Sequence, residues 1–143
     1  MSSRSEYAAA RFGEGFTCAT SVLTAFCEDY DLDTDIASQL SCGLGGGCGL
    51  GGICGAASGA ILVVGLKYGQ YSSADKASKT NCKAHRGEFM ERFKQAHNAV
   101  DCRDLLGLDI ADEEAYAAAA DRIKRVCTVL IKSAVEILEE LGY

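Results

Sequence analysis

Between Cys42 and Cys54 the chain reads CGLGGGCGLGGIC, seven glycines in thirteen residues with a cysteine at each end and one in the middle. Glycine loses more conformational freedom on ordering than any other residue and accepts positive φ. A run of this kind therefore weakens helix and strand alike and is read as a loop with exposed amides. Any fold has to be built from what lies on either side of it. There the sequence is permissive: 143 residues contain no Pro and no Trp, while Ala, Leu, Glu and Lys are plentiful, so little besides glycine interrupts a helix. The expectation is an all-α fold, a compact bundle of about five to six helices into which the glycine loop is let.

Local signals place the elements. Ser5 to Phe12 predicts a short first helix stopping at Gly13, and Thr17 is an N-cap for a second that runs to about Tyr30. Asp33 or Thr34 caps a third, ending near Cys42. Cys54 opens the apolar run CGAASGAILVVGLKYG, whose Gly55, Ala56, Ser58, Gly59 and Ala60 let another helix come close, and this is read as the buried central helix. From Ala74 to His97, Cys82, Phe89, Phe93 and Ala96 recur among charges as one apolar face. Asp101 caps a short turn that stops at Gly107. A last helix from about Asp112 to Leu141 puts Ile123, Cys127, Leu130, Ala134 and Leu141 on one face and turns Cys127 inward.

Several classes of function fall away. The formal net charge of −6, with no Lys/Arg cluster on a candidate helix face, lacks the footprint that neutralises phosphates, so no nucleic-acid partner is expected. The continuous apolar part of residues 36–66 is shorter than the roughly 20 residues a membrane span needs. Met1 to Phe16 has no signal-peptide core, which predicts a cytoplasmic protein. No repeat or Pro-rich linker divides the chain, and residues 1–143 are read as one domain.

Eight cysteines are the informative residues, because a reducing compartment disfavours a disulfide framework and leaves metal or redox chemistry as their use. Cys18 follows Thr17, Cys54 follows the glycine loop and Cys102 follows Asp101, so each stands in the first turn of a predicted helix. A helix N-terminus carries about half a positive charge and free amides, which favour thiolate. Three such ends converging, with the inward Cys127, would hold an anion such as an iron–sulfur cluster, whose sulfurs also accept amide hydrogen bonds. None of the four forms a CxxC knuckle, so only the fold can gather them.

The segments GFTCATSVLTAFCEDYDLD, GLGGGCGLGGICGAASGAILVVGLKYG, ERFKQAHNAVDCRDLLGLD and RVCTVLIKSAVEILEEL, in that order, resemble the C_GCAxxG_C_C family of small redox-active proteins. CGAASG at Cys54–Gly59 and CRDLLG at Cys102–Gly107 are the most specific pieces. The resemblance places the family's characteristic cysteines on Cys18, Cys54, Cys102 and Cys127. A related domain occurs in the split-Soret cytochromes beside a non-haem iron–sulfur centre, which implies an iron–sulfur site here. This sequence has no CxxCH, so no c-type haem is expected.

Cys42, Cys48 and Cys54 form a C-x5-C-x5-C series around the glycine loop, and Cys48, then Cys42, are the first candidates for additional ligands. Cys27 and Cys82 lie on faces with Leu23 and with Phe89 and Phe93 and are read as core; His85 and His97 are read as surface residues. The expected function is electron transfer or storage on an iron–sulfur cluster whose nuclearity the sequence leaves open, in an electron carrier rather than a stand-alone enzyme. The competing readings are a metal-free thiol–disulfide oxidoreductase or redox sensor, and a helical bundle holding zinc or copper on its thiolates. The small-residue face of residues 54–66 and the apolar last helix predict a homodimer, and the redox partner is unidentified.

Overall fold

The computed structural model describes residues 2–143, and among them the secondary structure is helical, with one isolated bridge between Ile53 and Asp101. The all-α expectation is correct. The helices are α1 (Ser3–Gly13), α2 (Cys18–Thr24), α3 (Thr34–Ser41), α4 (Gly55–Tyr68), α5 (Lys76–His97), α6 (Cys102–Leu106), α7 (Glu113–Ala118) and α8 (Ala120–Glu140).

Two of them are shorter than the sequence pattern suggests, each for a local reason. α2 stops at Thr24 because the amides of Ala25 and Phe26 bond three residues back, to Val22 and Leu23, and the chain tightens into a 3-10 turn at Cys27–Tyr30. Asp31, in the left-handed region at φ 53°, ends that turn. The expected last helix breaks at Ala119, where φ is −97° and ψ 10°. Asp112 caps α7 by accepting from the Ala115 amide at 3.0 Å, but the alanine-rich segment has no apolar stripe to align it with α8. The stripe begins at Ile123, and α8 then buries Leu130, Ile131, Ala134, Val135 and Leu138.

α4 occupies the centre, with Ala56, Ala57, Ala60, Val63 and Val64 buried, and its most extensive packing is on α2. Gly59 permits this, since a Cβ there would lie 2.5 Å from the Ala19 carbonyl oxygen. The small-residue face expected to receive a second copy is therefore covered within the chain, and the exposed residues of α4 are Leu62, Leu66 and Lys67. α1 and α5 flank α8, and Phe26, Phe89, Phe93 and Ile131 are wholly buried between these layers.

α5 adheres through Phe89 and Phe93; Cys82 is half-buried and Ala96 exposed, so the apolar face is narrower than predicted. Neither histidine is a free surface group. His85 stacks on Tyr68 with ring centroids 3.7 Å apart, and His97 packs on Phe93 and shares a 2.7 Å hydrogen bond with the Ser133 hydroxyl. Burial lowers the His97 pKa and keeps the ring neutral.

No helix is long and apolar enough to cross a membrane among the described residues.

Candidate functional site

Three helix starts converge on one place. Thr17 caps α2 by accepting from the Thr20 amide, and Cys18 is the first helical residue. Cys54 is itself the N-cap of α4, and Cys102 is the first residue of α6. The starts of α4 and α6 are joined by backbone: the Cys54 amide donates to Val100 O at 2.8 Å and the Cys102 amide to Gly52 O at 2.6 Å, on either side of the Ile53–Asp101 bridge. Gly55 closes the third side, with its Cα facing the Cys18 sulfur.

These three cysteines, together with Cys127 from α8, line a single cavity of about 440 Å³. The sequence placed them at three helix starts and on an inward helix face; the fold brings all four together. Cys54 and Cys102 are buried, and Cys18 and Cys127 half-buried. Cys42 also lines the cavity from the end of α3, although it is largely exposed.

Cys48 does not line it. Gly46, Gly47, Cys48 and Gly49 all have positive φ, between 60° and 74° for the glycines and 59° for Cys48, and this left-handed reversal turns the middle of the loop to solvent. Gly47 is obligatory in that turn, since a Cβ would meet the Gly52 amide nitrogen at 2.3 Å. Cys27 is buried away from the cavity with its thiol toward Leu23 O, and Cys82 lies outside it. All eight cysteines are free.

The electrostatics differ from the expectation that helix ends make these thiols acidic. Amides do face the sulfurs: those of Gly46, Ala19 and Ala56 favour the Cys18 thiolate, and those of Ala56 and Ala57 the Cys54 thiolate, so the Ala56 amide serves both. Burial outweighs them. It raises Cys18, and with the mutual repulsion of neighbouring thiolates it pushes Cys54 and Cys127 up to about 12 and Cys102 to about 11. The four sulfurs are close enough to disfavour one another's charge.

α7 supplies two residues that sequence reading missed. Glu113 and Tyr116, three apart and so on one helix face, line the same cavity. Burial and the facing thiols Cys127, Cys102 and Cys18 raise the Tyr116 pKa, which keeps its hydroxyl protonated. The only signal in the sequence was their i, i+3 spacing just after the Asp112 cap. Among the described residues, no three His, Cys, Asp or Glu side chains are gathered tightly enough to hold one metal ion.

Fold and site together define a helical protein with a cysteine-walled cavity at the convergence of helix starts. The sequence profile of the family described as "Putative redox-active protein (C_GCAxxG_C_C)" matches residues 16–141, and the chain belongs to that family. No curated protein and no solved structure matches the chain. The geometry gives the family signature a physical content in this chain: in Cys54–Gly55–Ala56–Ala57–Ser58–Gly59, Gly55 makes room for the Cys18 sulfur and Gly59 for the α2 backbone.

Proposed function

We propose that this redox protein carries an iron–sulfur cluster for electron transfer or storage, held by Cys18, Cys54, Cys102 and Cys127. The observation that carries the reading is the gathering of these four thiols, from four different helices, around one cavity with backbone amides directed at two of the sulfurs. The donor set fits the group: soft thiolates are the ligands such clusters take, and amide hydrogen bonds to sulfur tune their potential. When bound, the cluster would supply reversible one-electron chemistry. The chain's own part is to hold four sulfurs in place, to shield them with apolar walls, and to leave Cys42 at the rim as the nearest further thiol.

One observation weighs against the metal-free reading. A thiol oxidoreductase works through a low-pKa thiolate, and burial here moves every one of the four thiols the other way. Zinc or copper on the same thiolates is told from a cluster by acid-labile sulfide, which a bare metal ion lacks. Electron exchange with a partner, or with a second copy of the chain, would take place across the exposed rim.

The test is iron and acid-labile sulfide analysis with absorption spectra on anaerobically prepared protein. Iron and sulfide in equal amounts are expected in the parent and in Cys27→Ala, and depleted in Cys18→Ala, Cys54→Ala, Cys102→Ala and Cys127→Ala. Iron absent from the parent, or equal in all six proteins, sinks the assignment.

A further inference from the structure

The cysteine wall accounts for only part of the cavity. Its volume, about 440 Å³, falls within the roughly 300–1,000 Å³ typical of small-molecule pockets. Protein interiors leave few voids larger than a water molecule, because unfilled space forfeits contacts and stability. The remaining walls are apolar, formed by Phe12, Leu105, Leu106, Ile110, Ile123 and Leu130.

The polar groups are few. The Thr17 hydroxyl is already bonded to Thr20. That leaves Glu113 and Tyr116, and among the described residues neither side chain has a hydrogen-bond or ion-pair partner. Tyr116 is 40 % exposed, so its ring stands at the mouth, between solvent and the thiols. No Lys, Arg or His lines the cavity. The amides at the helix starts are directed at the Cys18 and Cys54 sulfurs, so beyond them an anionic guest would meet Glu113 with no side-chain cation to receive it, whereas a neutral guest would find apolar walls and the Tyr116 hydroxyl as donor.

We propose that the space beside the cysteine wall is a binding pocket for an uncharged, mainly apolar small molecule bearing a carbonyl oxygen, which accepts a hydrogen bond from the Tyr116 hydroxyl while Glu113 turns anions away. The inference rests on the redox reading of the four thiols, because it places a guest in front of that centre, and it makes the protein a candidate for acting on small organic molecules.

The experiment uses the full chain, prepared anaerobically, with iron counted in every sample. The probes are acetophenone, toluene, which lacks the acceptor, and benzoate, which is of similar size but charged. Binding is followed by calorimetry and by changes in the amide spectra of α7. Acetophenone should saturate at millimolar concentration, toluene should bind more weakly and benzoate not at all. Tyr116→Phe should weaken acetophenone about three- to tenfold, the value of one hydrogen bond, and leave toluene affinity and iron content unchanged. Ile110→Trp, which fills the pocket from its apolar wall, should abolish binding of both acetophenone and toluene. The proposal is overturned if acetophenone does not saturate, if Tyr116→Phe binds it as tightly as the parent, or if benzoate binds equally well. Acetophenone binding with this probe and variant pattern in protein devoid of iron would support the pocket and defeat the cluster reading; full iron with no binding would do the reverse.

Discussion

A Cβ built on Gly55 would lie 2.2 Å from the Cys18 sulfur, well inside any real carbon–sulfur contact. The glycine of α4 and the cysteine of α2 are thus one structural unit, and the smallest possible side chain at residue 55 displaces a proposed ligand. Gly55→Ala is expected to cut iron content sharply and to destabilise the fold by about 1–3 kcal/mol, the usual cost of overpacking. Iron analysis beside thermal unfolding checks both parts; a fully loaded variant would separate Gly55 from the site.

Two other glycines of α4 should respond with opposite signs. At Gly59 a Cβ meets the Ala19 carbonyl at 2.5 Å, so Gly59→Ala forces α2 and α4 apart and lowers stability by about 1–3 kcal/mol. At Gly65 no neighbour lies within 4 Å, and Gly65→Ala should raise stability by about 0.4–1 kcal/mol through a less flexible unfolded chain. Chemical denaturation of the two variants decides; equal shifts of the same sign would contradict the packing described.

Cys42 and Cys48 separate the loop's two remaining thiols. Cys42 borders the cavity, and Cys48 is exposed and not part of its lining. Cys42→Ser is expected to alter the spectrum or potential of the loaded protein, and Cys48→Ser to leave both at the parent values. The reverse pattern would mean that the loop rearranges on loading.

The metal-free and loaded proteins should depend on pH in opposite ways. In the metal-free state the four thiols have folded pKa values raised above the ordinary 9.0, to about 11 for Cys102 and about 12 for Cys54 and Cys127. A raised pKa means that the folded state holds its protons more tightly, so this stability is complete below pH 9 and is lost as pH rises from 9 through 11 to 12. Loading releases those same protons, so metal affinity should increase with pH until the apo fold fails. Thermal midpoints of chelator-treated protein across this range test the first statement, and proton release on anaerobic reconstitution the second. A melting temperature that climbs above pH 9 would contradict the buried-thiol picture.

Much of the site was legible because each cysteine sits next to a strong local signal. Thr17 and Asp101 are helix starts by their chemistry, and the glycines before Cys54 forbid helix until that residue. Cys127 is fixed inward by the α8 stripe, which the heptad-like recurrence from Ile123 onward makes plain. What the sequence hid depends on tertiary context. The early end of α2, the break at Ala119 and the outward turn of Cys48 are set by backbone geometry that no single residue announces. Tyr116 lies among alanines with no periodicity to mark a face. The thiols were expected to be acidic because helix ends are visible in a sequence, whereas the burial that overrides them is a property of the packed molecule. His97 looked solvated for the same reason.

The backbone stitching of Gly52 to Cys102 and of Val100 to Cys54 bears on how a centre would be assembled. The main chains of two of the proposed ligands, Cys54 and Cys102, are held side by side by the protein's own hydrogen bonds. These two residues would therefore take up an iron ion with little further loss of chain entropy. Closure onto Cys18 and Cys127 then becomes an intramolecular step, and the speed of reconstitution should follow the integrity of that short bridge more closely than the overall stability of the fold.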